Sequence, residues 1–94
     1  MQIEAVRITL YAPESQSLKD KRRILRSILD QVRHRFNVSA AEVDAMDLHQ
    51  RIVIGIACVS NERSHVQQEI DSVIRFIEEQ AESLGADVLS IEDV

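Results

Sequence analysis

Val6, Ile8 and Leu10 alternate with Arg7, Thr9 and Tyr11, a period of two that predicts a half-buried strand over residues 3–11. Pro13 and the polar run 14–16 end it. Ser17 is placed to cap a helix, with Asp20 three residues on as the reciprocal partner of a capping box. Leu18, Leu25, Ile28, Leu29, Val32 and Phe36 then recur at the three- and four-residue spacing of a core-facing helical stripe. Residues 37–43 predict a second strand; Val38, Ala40 and Val43 supply its apolar content, and its small residues suit a sheet edge. Residues 44–50 are mostly polar and read as a connection.

Residues 52–59 run Ile-Val-Ile-Gly-Ile-Ala-Cys-Val without a polar side chain, the pattern of a central strand paired on both sides. Ser60 or Asn61 can cap a second helix with the stripe Val66, Ile70, Val73, Ile74, Ile77, Ala81 and Leu84, and Gly85 is suited to a left-handed stop. Residues 88–91 predict a short last strand. The order β-α-β-β-α-β, with right-handed crossovers, places both helices on one face of a four-stranded antiparallel sheet. The expected class is α+β, a ferredoxin-like split βαβ sandwich formed by residues 1–94 as a single domain. A swapped or dimeric form of that unit is the alternative.

In this arrangement the isoleucines of the central strand face the helices. The open face of the sheet then carries Arg7, Thr9 and Tyr11 from the first strand and Val53, Ala57 and Val59 from the third. Those six residues are the candidate contact surface for a second copy, because an apolar sheet face is a recurrent association surface; the alternative is a monomer in which loops partly cover that face.

Composition narrows the chemistry. The 94 residues are 45% hydrophobic, as in a globular domain. One cysteine, Cys58, excludes an internal disulfide and a cysteine metal cluster. Three aromatics, Tyr11, Phe36 and Phe76, leave the sheet without the stacking platform of single-strand RNA readers. The two glycines, Gly55 and Gly85, are too far apart for a phosphate loop, and residues 12–17 hold neither glycine nor arginine. No catalytic residue, cofactor or enzymatic activity is expected. Asp44, Asp47 and His49, with Glu42 nearby, have the spacing D-x-x-D-x-H, but such groupings are common in solvated loops, and no metal site is expected. No apolar run reaches membrane-spanning length and the first residues lack a secretory pattern, so a cytoplasmic protein without a membrane partner is expected.

The formal charge of -5 conceals a division. Residues 18–35 hold seven bases against two acids, +5, whereas residues 62–94 hold two bases against nine acids, -7. On a helical wheel Lys19, Arg22, Arg23, Arg26 and Arg33 share an arc of about 100° beside the apolar stripe. Asp30 lies among them, within reach of Arg26 or Arg33. Lys21 falls inside the apolar arc, where its stem can cover Leu25 while the amine escapes past the sheet edge. A polyanion or an acidic protein would suit this flank. The competing reading is a solvated face, or one neutralised by Glu69, Asp71, Glu78, Glu79 and Glu82 of the second helix.

Ser17-Leu18-Lys19-Asp20-Lys21-Arg22, the run from Phe36 to Val43, and Asp47-Leu48-His49-Gln50-Arg51 ahead of the Gly55 strand resemble the YlxP-like family of small bacterial proteins of unknown function. Val59-Ser60-Asn61 and Arg75-Phe76-Ile77-Glu78-Glu79 extend the resemblance over essentially the whole chain. Family members often carry tryptophan where this chain has His49 and valine where it has Ala40. The resemblance implies a ferredoxin-like fold, no known catalysis, and genes beside those of translation initiation and ribosome maturation factors. It therefore implies ribosomal RNA or a ribosomal subunit as partner, with no DNA, and adds Arg51 to Lys19, Lys21, Arg22, Arg23, Arg26 and Arg33 as candidate contacts.

Overall fold

A computed structural model describes residues 1–94. Its elements are β1 (Gln2–Tyr11), α1 (Leu18–Arg35), β2 (Ser39–Asp44), β3 (Arg51–Ser60), α2 (Arg63–Ser83) and β4 (Asp87–Asp93). The sheet order is β2-β3-β1-β4 and every pairing is antiparallel, which is the ferredoxin-like arrangement. β3 is central, as its unbroken apolar run requires.

The alternation in β1 and β3 decides what is buried. Val6, Ile8 and Leu10 stand on the same face as Ile52, Ile54 and Ile56, in the registers Val6↔Ile56, Ile8↔Ile54 and Leu10↔Ile52. All six are buried against Leu25, Ile28, Leu29 and Val32 of α1 and Val66, Ile70, Val73 and Ile77 of α2. Each such side chain contributes about 1.5–3 kcal/mol by leaving water. Phe76 is also buried although it stands off the predicted α2 stripe; its ring meets Phe36 edge to face, 5.6 Å between centroids, beneath the Arg35 guanidinium.

Helix ends follow local chemistry. Ser17 Oγ accepts the Asp20 N–H at 3.1 Å, and Asp20 Oδ2 accepts the N–H of Gln16, one residue before the cap, at 3.0 Å. α2 differs from expectation: its N-cap is Glu62, without a side-chain cap bond, while Ser60 Oγ accepts the Glu62 N–H. At the other end Gly85 takes φ 80°, and the Ala86→Ala81 and Gly85→Glu82 backbone bonds close a Schellman motif.

β2 begins two residues later than predicted. Val38 packs on the core without joining the strand, and the register shift between Glu42 and Asp44 leaves Val43 as an extra residue. The Val43 side chain leans over Gly55, which pairs with Ala41 on the same strand: a Cβ at Gly55 would stand 2.8 Å from Val43 Cγ1. After the bulge the chain turns back through Ala45, whose φ of 53° is left-handed, and runs beside the start of α1.

Candidate nucleic-acid interface

Lys19, Arg22, Arg23 and Arg26 are exposed on successive turns of α1 and line a shallow depression of about 480 Å³ with Ser27 and Asp30. The helix cannot roll to hide them, because Leu25, Ile28, Leu29 and Val32 pin its opposite side to the sheet. None of the four cations has a carboxylate within ion-pair distance, since the chain holds a single ion pair elsewhere. Neither the Asp30 pairing that the helical spacing allows nor the ion pairing with α2 raised as a competing reading is formed. The helices instead meet through Gln31 Nε2, which donates to Gln80 Oε1 at 3.1 Å, and through the Phe36–Phe76 contact. The acidic side chains Asp71, Glu78, Glu79 and Glu82 remain exposed on α2.

Two other candidate cations lie apart from this group. Arg33 sits at the far end of α1, where Nε and Nη2 both donate to the Ala40 carbonyl, at 3.1 and 2.6 Å, and tie the helix to β2. Arg51 projects from β3 opposite Tyr11, on the open side of the sheet.

Lys21 is a correction. Its amine does not escape to solvent: the residue is 1% exposed, and Nζ donates to the carbonyls of Ala45 (2.6 Å) and Leu48 (2.9 Å). The Glu42 carboxylate, Oε2 at 2.8 Å, supplies the counter-charge. That oxygen is buried and accepts no well-aligned hydrogen bond, so the ammonium charge is what compensates it. Around this centre Ser15 Oγ donates to the His49 carbonyl at 2.6 Å, and Gln50 Nε2 donates to the carbonyls of Pro13 and Ser15. The motif at the start of α1 and the motif before β3 thus form one knot, in which Lys21 is a structural cation and not a surface contact. Its position inside the apolar arc was the available signal.

The loop residues offer no metal site. Glu42 faces Lys21, Asp44 Oδ1 accepts the neighbouring Ala45 N–H, Asp47 and His49 are exposed, and no group of three metal-ligating side chains converges. Burial pushes the Cys58 thiol up from its usual pKa, and Glu69 and Glu4 push it further, so it holds little nucleophilic thiolate.

On the open face, Arg7, Tyr11, Ala57 and Val59 are exposed as expected. Thr9 and Val53 are not: both are 4% exposed, in a hollow ringed by Val43, Met46 and Leu48, so neither is available as an interface residue. No helix is long and apolar enough to cross a membrane.

Fold and surface together define a small α+β sandwich with one cationic helix face. The chain belongs to the family described as protein of unknown function (DUF503), whose model matches residues 3–92. It is 42% identical over 65 residues to the uncharacterized protein YlxP of Bacillus subtilis (strain 168), covering 69% of this chain and 71% of that protein. Among solved structures it is similar to a C-terminal segment of the alpha subunit of aIF2 from Pyrococcus abyssi, with TM-score 0.63 and 11% identity. It is also similar to a hydantoinase/carbamoylase family amidase from Burkholderia ambifaria, with TM-score 0.60 and 9% identity. These matches cover 99% and 98% of this chain but 50% and 27% of those chains, and at such identities they show the fold alone.

Proposed function

We propose that the protein is a non-catalytic cytoplasmic accessory factor that contacts ribosomal RNA, on a ribosomal subunit, through the basic face of α1. The observation that carries this reading is the set Lys19, Arg22, Arg23 and Arg26, exposed together and without carboxylate partners on a chain of net charge -5. Unpaired surface cations held on one rigid helix favour phosphates by releasing condensed counterions. The resemblance to a family encoded beside translation and ribosome maturation genes selects the ribosome among polyanions. Tagged protein should cosediment with ribosomal subunits on a sucrose gradient at low salt and dissociate when salt is raised about fourfold. Cosedimentation unchanged at the higher salt would reject the basic face as the contact.

A second reading, self-association through the sheet, is favoured by a separate observation. Ile3, Val43, Ala57, Val59 and Val94 are exposed on or beside the open face, away from α1. Four strands spaced about 4.8 Å apart and some 25 Å long make a face of roughly 500 Å². Two such faces would bury about 1,000 Å², the lower limit for a specific interface. Light scattering should then give twice the 10.7 kDa chain mass, and Ala57→Asp with Val59→Asp should return the monomer. A monomer mass at every concentration would dismiss the second copy.

A further inference from the structure

The chemistry beside the α1 cations bears on which form of RNA they suit. Lys19, the Arg22–Arg23 pair and Arg26 step along one helix whose pitch is about 5.4 Å, so they offer charge at fixed intervals along a line. That line is held rigid twice, by the buried stripe and by Lys21 anchored to the Ala45 and Leu48 carbonyls. Ser27 Oγ, in the same depression, accepts from Gln31 Nε2 at 3.3 Å and keeps its own proton to donate. Asp30 stands in the depression as its one acid and sets the limit of the cationic row.

No phenylalanine, tyrosine or tryptophan ring stands among these cations to hold an unstacked base; the nearest exposed ring on the flank is the His34 imidazole, beyond Asp30. Phe36 and Phe76 are packed on each other, with Arg35 over the Phe76 ring, and Tyr11 lies on the far side of the sheet. Single strands are held largely by stacking on aromatic rings, about 1–3 kcal/mol per base, and the cationic row from Lys19 to Arg26 contains no such ring, His34 standing two turns further on. A double helix keeps its bases stacked internally and presents its phosphates at high density and fixed spacing, so a rigid cationic row needs no stacking partner to bind it. Resting on the RNA-binding reading above, we infer that the α1 face is a site for paired RNA, bound through its phosphates without reading base sequence.

Fluorescence anisotropy decides this with the full chain, a labelled RNA duplex of about 16 bp, and each of its strands alone in an unstructured sequence. The duplex should bind at least about tenfold more tightly than either strand, and a duplex of unrelated sequence equally well. Its log affinity should fall with log salt at a slope of about -3 to -4, as four phosphate contacts require. Arg23→Gln, an exposed and unpaired position, should lower that slope by about one. Single strands binding as tightly as the duplex would overturn this inference and leave the RNA-binding reading intact. Binding to neither form, with the protein folded, would overturn both. Strong preference between duplex sequences would overturn the claim of backbone-only recognition.

Discussion

Lys21→Met should lower stability by about 3–5 kcal/mol, the usual consequence of removing one member of a buried ion pair. Methionine keeps most of the apolar stem, so the loss reports the ammonium. Three oxygens are left without their donor at once: the Ala45 and Leu48 carbonyls and Glu42 Oε2. For a domain of this size each kcal/mol moves Tm by about 4–8 °C, so a fall of roughly 12–40 °C is expected in a thermal melt. Glu42→Gln should do less. Glu42 is 20% exposed, whereas Lys21 is 1% exposed and retains both carbonyl acceptors when the carboxylate is neutralised. Amide exchange localises the effect: residues 45–50 should lose protection first, because the left-handed turn at Ala45 is held against α1 by this ammonium. If Lys21→Met melts within a few degrees of the parent, the knot is not what fixes the loop.

The difference between Lys21 and its neighbours shows where sequence patterning stops. Periodicity found all six elements because the rows Val6-Ile8-Leu10 and Ile52-Ile54-Ile56 and the stripes of both helices are repeated burial signals. Lys21 counts as polar in any such pattern, and the carbonyls that bury it arrive from a loop 24 and 27 residues later. The same loop accounts for Thr9 and Val53, whose alternation places them correctly on the open face but cannot show that residues 43–48 ring them there. The cationic arc was legible from helical spacing alone. Whether α2 would neutralise it was not, because that depends on which side chains meet between the helices, and Gln31–Gln80 and Phe36–Phe76 fill that seam in place of charges. Phe76 escaped the stripe for a related reason: Phe36 and Arg35, from the end of the other helix, help to cover its ring.

Reversing Arg22, Arg23 and Arg26 to Glu should abolish subunit cosedimentation and weaken RNA binding by at least about a hundredfold, because three attractive phosphate contacts become three repulsive ones. Stability should change by no more than about 0.5 kcal/mol per substitution, since the three side chains are exposed and have no carboxylate partner to lose. Lys19 stays unaltered in this variant so that the first turn, capped by Ser17, is undisturbed. A comparison separates local from global electrostatics. Glu78, Glu79 and Glu82 changed together to Gln make the protein less acidic without touching α1. Charges separated by more than the Debye length, about 8 Å at physiological salt, are largely screened, so this second variant should bind RNA within a few-fold of the parent. A large gain in affinity there would mean that binding follows net charge and not the α1 face. Full cosedimentation by the arginine-reversed protein would place the contact elsewhere on the molecule. With the expected pair of results, a chain of net charge -5 binds phosphate because four of its cations are gathered, exposed and unpaired, on one face of one rigid helix.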